Sequence, residues 1–170
     1  MVLLRALIGA LFVGHGTQKL FGWFGGGGPE GTGQMFESIG LRPGRRNAIA
    51  AGASEAGGGA LFASGFATPL AAASLTGVMV SAIRHVHLQK GLWSTEGGYE
   101  YNLVLLAGVF TVVAEENGLP WALGQLAAGA IGSTAMTELA RREAESVEEI
   151  GRVPAEERVA AEQSGAAVSG

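Results

Sequence analysis

Two basic side chains, His15 and Lys19, stand four positions apart in an opening segment that is otherwise mostly apolar residues and glycine. In a helix this spacing places both side chains on one face. An ionisable group in a hydrocarbon environment is costly unless it has a partner or a function. An imidazole beside an ammonium group can transfer a proton, bind a carbonyl or an anion, or form an ion pair. The pair therefore predicts a polar site within an apolar helix.

Further ionisable residues occur in the later apolar segments. Glu55 stands among glycines in the second segment, Arg84 and His85 fall near the end of the third, and Glu100 opens the fourth. We call the side where the first segment ends side B. A helical rise of about 1.5 Å per residue puts His15 about 12 Å inside side B and Glu55 about 12 to 14 Å inside it. Because the other three also fall near side B, we expect one polar cavity that opens there.

The charges in this set are balanced. The cations Lys19 and Arg84 match the carboxylates Glu55 and Glu100, which leaves the two histidines free to titrate. Plainer interpretations stay open for individual residues. Glu55 could form a structural ion pair between the first two helices, and Lys19 could extend its ammonium to the lipid headgroups.

The composition indicates lipid as the surrounding solvent. Of 170 residues, 48% are hydrophobic and only 15% are charged, whereas soluble domains carry about 25% charged residues. The net charge of −4 and the lack of a basic face argue against nucleic acid as a partner. The chain contains no cysteine, which excludes disulfides, thiolate metal sites and cysteine-ligated iron–sulfur clusters.

The apolar pattern predicts an all-α integral membrane protein, a four-helix bundle. Between the first two spans lies a loop rich in Gly and Pro, in which Met35, Phe36 and Ile39 share one face and predict a short helix on the membrane surface. Thr68 and Pro69 predict the N-cap and first turn of the third span, after a tight hairpin. The predicted spans are residues 2–23, 47–64, 69–88 and 99–114.

Small residues recur at four-residue spacing in the second and third spans. Such stripes allow helix backbones to approach closely in lipid, although a composition rich in Ala and Gly produces them by chance as well. The stripes are Gly52, Ala56 and Ala60, and Ala73, Gly77 and Ser81.

The last third of the chain is harder to assign. We divide the protein into a bundle over residues 1–118, an ambiguous helix over 119–140 and a charged, mobile tail over 141–170. The stretch from Trp121 to Ala140 has one charge, Glu138, but is diluted by Gly, Ser and Thr. A fifth span, a helix at the interface and a helix packed in a homo-oligomer are all consistent with it.

Several sequence blocks together resemble the DoxX family of small four-span membrane proteins. They are Gly14-His15-Gly16 with Lys19-Leu20-Phe21-Gly22, then Glu55 with Gly58-Gly59, then Gly97-Gly98-Tyr99-Glu100-Tyr101. The resemblance covers residues 1 to about 118. Many members carry Ser-Leu-Asp near the fourth helix, where this chain has Trp121-Ala122-Leu123-Gly124, so the resemblance does not explain the C-terminal extension.

The resemblance implies a multi-pass protein of the bacterial inner membrane, surrounded by lipids, and a link to redox chemistry. The family is similar to the small membrane subunit of thiosulfate:quinone oxidoreductases. We therefore expect a quinone, or a similar lipophilic redox molecule, in the side B cavity. His15 and Glu55 would contact its head, Lys19 and Arg84 would adjust the charge, and His85 and Glu100 would complete the site. Electrons would come from a soluble redox partner protein.

Other functions stay open on the same residues. The chain could be a non-catalytic anchor or assembly factor, or a small transporter or lipid-binding bundle. Haem ligation by His15 and His85 is disfavoured, because haem needs a wide apolar slot. In addition, the neighbouring cations Lys19 and Arg84 offer competing structural explanations for the two histidines. No spacing of histidines and carboxylates predicts a metal site.

Overall fold

The computed structural model describes residues 1–152, and all regular secondary structure in this part of the chain is helical. The all-α prediction is confirmed. After α4, the chain continues through a π-helical turn, Ile83–His87, and a 3₁₀ turn, Leu88–Lys90. The helices are α1 Val2–Phe21, α2 Gly28–Ser38, α3 Gly44–Ser64, α4 Thr68–Ala82, α5 Glu100–Asn117 and α6 Leu119–Arg152.

Glycines end α1 and α3, two residues before the predicted end of the first span and at the predicted end of the second. Gly22 and Gly65 have φ angles of 71° and 76°, a left-handed conformation that glycine adopts without Cβ strain. The α3–α4 hairpin is tight, as expected, but its cap differs from the prediction. Ala67, at φ 50°, is the N-cap of α4, and Thr68 and Pro69 form its first turn.

Helices α1 and α3 pack through glycine. A methyl group added at Gly16 would lie 2.6 Å from the carbonyl oxygen of Gly52 and would overlap the backbone of Ala56. The predicted stripe on the second span is thus confirmed at Gly52 and Ala56, whereas Ala60 is exposed. This close approach brings polar side chains of α1 within reach of α3.

Helix α4 contacts α3, α5 and α6. The stripe predicted on the third span faces α6. Gly129 lies against Ala73 and Gly77, and the hydroxyls of Ser81 and Ser133 are 2.8 Å apart. A methyl group at Gly129 would lie 2.9 Å from the carbonyl oxygen of Ala73. The fully buried large apolar side chains come from four helices and are Phe12, Phe62, Leu75, Val109, Val112 and Val113.

The helices differ in how well their composition suits a bilayer. Within residues 1–152, Thr68–Lys90 is the helical segment that is both long enough and apolar enough to cross a membrane. Helix α1 carries Arg5 and Lys19, and α3 is built largely of Gly and Ala, whose hydropathy is low. The four-span arrangement therefore stays a prediction.

Helix α6 runs parallel to α4. Thr76 donates a hydrogen bond to Gln125 at 2.6 Å, and further along both helices His85 Nε2 lies 3.5 Å from Thr137 Oγ1. The stretch 119–140 therefore shares its depth with α4, and its crossing of a bilayer stays a prediction. Residues 141–152, part of the predicted tail, continue α6, while residues 153–170 lie outside the described part of the chain.

Candidate functional site

Lys19 and Glu55 form an ion pair across the α1–α3 contact. The Nζ atom of Lys19 donates to Oε2 of Glu55 at 2.6 Å and to the carbonyl oxygen of His15 at 3.5 Å. The side chain of Glu55 is 3% exposed and that of Lys19 is 22% exposed. The glycine contacts between the helices allow this approach and enclose the carboxylate. Two of the predicted site residues therefore meet directly.

His15 lies towards α5. Its Nδ1 atom is 3.1 Å from Oε1 of Gln18, and its ring meets the ring of Tyr101 edge to face, with centroids 6.3 Å apart. Tyr101 is not among the site residues that the sequence predicts. Its presence in the Gly97 to Tyr101 block was the available signal.

A groove of about 920 Å³ lies between α3, α4 and α6, and we call it the α3–α4–α6 groove. Lys19 and Glu55 border it, but His15 does not. Small residues from all three helices form much of its wall, which makes it wide and mostly apolar. They include Ala50, Ala53, Gly57, Ala73, Gly77, Gly129 and Gly132.

An amide of α3 that the sequence analysis did not select also borders the groove. The Nδ2 atom of Asn47 is buried and has no hydrogen-bond partner among the described residues. An unpaired buried amide donor costs about 1–3 kcal/mol, and such groups usually find a ligand or water acceptor. Asn47 therefore holds an unsatisfied donor next to the groove, and a rotation of its side chain would bring that donor to a molecule there. No motif in the sequence marks it.

His85 and His87 border the same groove at its side B end. The Nδ1 atom of His85 is 2.9 Å from the carbonyl oxygen of Ser81. The Nδ1 atom of His87 is 2.6 Å from the carbonyl oxygen of Gly97. Both imidazoles are thus held through Nδ1 by backbone carbonyls, and their Nε2 atoms take no part in these hydrogen bonds.

Arg84 and Glu100 do not join the site, which differs from the predicted balanced set of four charges. Arg84 is exposed and donates to Thr134 Oγ1 at 3.0 Å. Glu100 accepts hydrogen bonds from the backbone N–H and the hydroxyl of Ser94, both at 3.0 Å. Depth along a helix follows from sequence position, but the direction of a side chain around the axis does not. The charge balance at the site comes from Lys19 and Glu55 alone.

The described residues contain no group of three or more histidines and carboxylates placed to bind a metal ion. The two histidines considered for haem are also separated, because His85 borders the α3–α4–α6 groove and His15 faces α5.

The fold and the site together define an all-helical bundle with an apolar exterior, an enclosed ion pair and an apolar groove beside that pair. The sequence profile of the DoxX family matches residues 1–88 of this 170-residue chain. The protein therefore belongs to the DoxX family and is a membrane protein, as the resemblance implied. His15, Lys19, Glu55, Arg84 and His85 lie within the match. No curated protein and no solved structure matched the chain.

Proposed function

We propose that this protein is a membrane subunit of an oxidoreductase system and binds an isoprenoid quinone, or a similar lipophilic redox molecule, in the α3–α4–α6 groove. The observation that carries the proposal is the composition of the groove. It has a volume of about 920 Å³ and a mostly small, apolar wall, and its polar border includes Lys19, Glu55 and Asn47. Ligand sites commonly combine an apolar wall with a few polar groups that fix orientation.

The residues present fit a quinone. Its ring carbonyls need hydrogen-bond donors, which the Lys19 ammonium at the border of the groove and, after a rotation of its side chain, the Asn47 amide would supply. An isoprenoid tail needs a long apolar surface, which the small residues of α3, α4 and α6 provide. A bound quinone supplies two-electron, two-proton carrier chemistry. Glu55 holds Lys19 beside the groove, and a soluble redox partner protein supplies the electrons.

This proposal includes a multi-pass arrangement in the bacterial inner membrane. Helices α1, α3, α4 and α5 cross the bilayer, and α6 runs beside α4 as a fifth crossing. The exposed large apolar side chains on these helices support it, because a bilayer accepts such an exterior and water does not. They include Leu3, Leu7, Leu70, Val104, Trp121 and Ile131.

Two glycines allow the groove to be filled without disturbing the helix contacts. A methyl group at Gly57 or at Gly132 would meet nothing within 4 Å, and both residues border the groove. Gly124 has the same open surroundings but does not border the groove. Gly57→Leu and Gly132→Leu are thus groove-filling variants, and Gly124→Leu is their matched control.

The test uses the full chain in lipid nanodiscs with decylubiquinone as the probe. We expect both groove-filling variants to bind it at least about tenfold more weakly than the wild type, because each occupies space that the ligand needs. Gly124→Leu should bind like the wild type. Equal binding in all four proteins, or no binding to the wild type, would contradict the proposal.

A second candidate function is a non-catalytic anchor or assembly factor. The observation in its favour is that Lys19 and Glu55 satisfy each other across the α1–α3 contact, as a purely structural pair would. In that case Glu55→Gln would lower the melting temperature in nanodiscs, and decylubiquinone would bind neither this variant nor the wild type.

A further inference from the structure

A second cavity, of about 580 Å³, lies at side B between the α2–α3 connection and α6. We call it the side B cleft. Its border is rich in charged side chains, so water and protons reach it readily. The charged side chains come from the α2–α3 region and from α6. They are Glu37, Arg42, Arg141, Glu143, Glu145 and Glu148.

In the part of the chain that the structure describes, three residues border both the side B cleft and the α3–α4–α6 groove, namely Leu41, His85 and Thr137. His85 is the ionisable member of this set. An imidazole can accept a proton on one side and release it on the other at physiological pH. The boundary between the charged cleft and the apolar groove is therefore occupied by a side chain suited to proton transfer.

The hydrogen bonds of His85 fix which nitrogen is available. A backbone carbonyl can only accept, so the bond of 2.9 Å to the Ser81 oxygen requires a proton on Nδ1. In the neutral ring, Nε2 then carries the lone pair. Its neighbour Thr137, 3.5 Å away, donates its hydroxyl proton to the Ser133 carbonyl at 2.9 Å. Among the described residues, no group then donates a hydrogen bond to His85 Nε2.

The backbone at His85 is unusual as well. Residues 83–87 form a π-helical turn in continuation of α4. Such turns are rare and frequently lie at functional sites. His85 lies in the middle of this turn, with its ring next to the Ser81 carbonyl and at the boundary of the two cavities.

We propose that His85 transfers protons between the side B cleft and a quinone in the groove, an inference that rests on the proposed function. Nε2 takes a proton from water in the cleft and gives it to a quinone ring oxygen. Two such transfers, with two electrons from the partner protein, convert two carbonyls to hydroxyls and break no other bond. Within residues 1–152, the other ionisable groups that border the groove are Lys19, Glu55 and His87.

His87 provides a matched control. Its Nδ1 atom is held by the Gly97 carbonyl, as that of His85 is held by Ser81. It borders the groove but not the side B cleft. Replacing each histidine by glutamine keeps a polar side chain and removes the ability to carry a proton. The comparison of His85→Gln with His87→Gln therefore isolates the position between the two cavities.

The experiment measures proton uptake by the full chain in nanodiscs loaded with decylubiquinone. Reduced methyl viologen, a one-electron donor that releases no proton when it is oxidised, supplies electrons, and a membrane-impermeant pH dye reports the protons taken from water. We expect His85→Gln to bind decylubiquinone as the wild type does but to take up protons at least about tenfold more slowly. His87→Gln should match the wild type. Normal uptake in His85→Gln, or equal slowing in both variants, would overturn the assignment.

A second measurement does not depend on turnover. Nitrogen-15 NMR of labelled histidine should show the Nδ1–H form of His85 without ligand and a change at its Nε2 atom when decylubiquinol is added. An unchanged Nε2 signal would also overturn the assignment. If the wild type binds no quinone, the proposed function fails together with this inference. If it binds and His85→Gln takes up protons normally, this inference alone fails.

Discussion

The Lys19 ammonium lies 2.6 Å from the Glu55 carboxylate, whose side chain is almost fully buried between α1 and α3. Removing one partner of an enclosed pair leaves the other charge uncompensated, which typically costs about 3–5 kcal/mol. We expect Lys19→Met to lower stability by an amount in this range, measured as loss of folded protein on heating in nanodiscs. Glu55→Gln should cost less, because the partly exposed Lys19 can extend to the headgroups.

The double variant Lys19→Met/Glu55→Gln is the control for this prediction. It removes both charges, so it should recover most of the stability that Lys19→Met loses. A double variant as unstable as Lys19→Met would show that the lysine contributes through packing and not through its charge.

A methyl group on Gly16 would overlap the α3 backbone, whereas one on Gly14 would meet nothing within 4 Å. Overpacking a close contact costs about 1–3 kcal/mol, so Gly16→Ala should be destabilised by roughly that amount. Gly14→Ala should be unchanged or slightly more stable, because alanine favours helix. Thermal unfolding of both variants tests this, and equal stabilities would contradict the packing.

The unpaired amide of Asn47 predicts opposite effects on binding and stability. Asn47→Ala removes a buried donor that has no partner, so stability should stay the same or rise slightly. Loss of one hydrogen bond to a quinone carbonyl, worth about 1 kcal/mol, should weaken decylubiquinone binding about fivefold. His15→Ala is the control, because His15 faces Tyr101 and should leave the affinity nearly unchanged. Weaker binding in His15→Ala than in Asn47→Ala would argue against the assigned position of the ligand.

The link between α2 and α3 should depend on pH. Arg45 donates to Glu30 at 2.9 Å, and this hydrogen bond holds the pKa of Glu30 below its ordinary value of 4.5. A carboxyl group whose pKa is lower in the folded protein stabilises it above the unfolded pKa, and this contribution disappears as the pH falls through the folded pKa. The small difference in melting temperature between wild type and Glu30→Gln at pH 7 should therefore vanish in strong acid.

Salt provides the control for the Glu30 prediction. Both side chains are exposed, so about 1 M salt should screen the pair and reduce the difference at pH 7 as well. A difference that persists in acid or in high salt would show that Glu30 acts through something other than its charge.

Helix positions could be predicted from the sequence because the signals that end helices are local. The predicted spans 47–64 and 69–88 lie within a few residues of α3 and of α4 with its extension. A place on the membrane surface stays a prediction for the short helix around Met35, Phe36 and Ile39. It corresponds to α2, which begins earlier, at Gly28. Its N-terminal half is rich in Gly and has no apolar periodicity to reveal it.

The candidate site could be predicted only in part. Depth estimates put His15 and Glu55 at one level, but Glu55 pairs with Lys19 while His15 faces α5. These estimates place residues along a helix axis only. They failed for Arg84 and Glu100, whose directions depend on packing around the helix axes. The groove itself could not be predicted, because it exists only once α6 lies beside α4, and the pairing of those helices rests on single contacts such as Gly129 with Thr76.

The α3–α4–α6 groove has an open side where Gly57 of α3 and Gly132 of α6 are exposed at its rim. A ligand that enters through this open side first dissolves in the lipid and then reaches the protein by diffusing in the plane of the membrane. Occupancy is consequently governed by the mole fraction of the ligand among the lipids. Diluting a sample with buffer at a fixed ratio of ligand to lipid should leave the bound fraction unchanged.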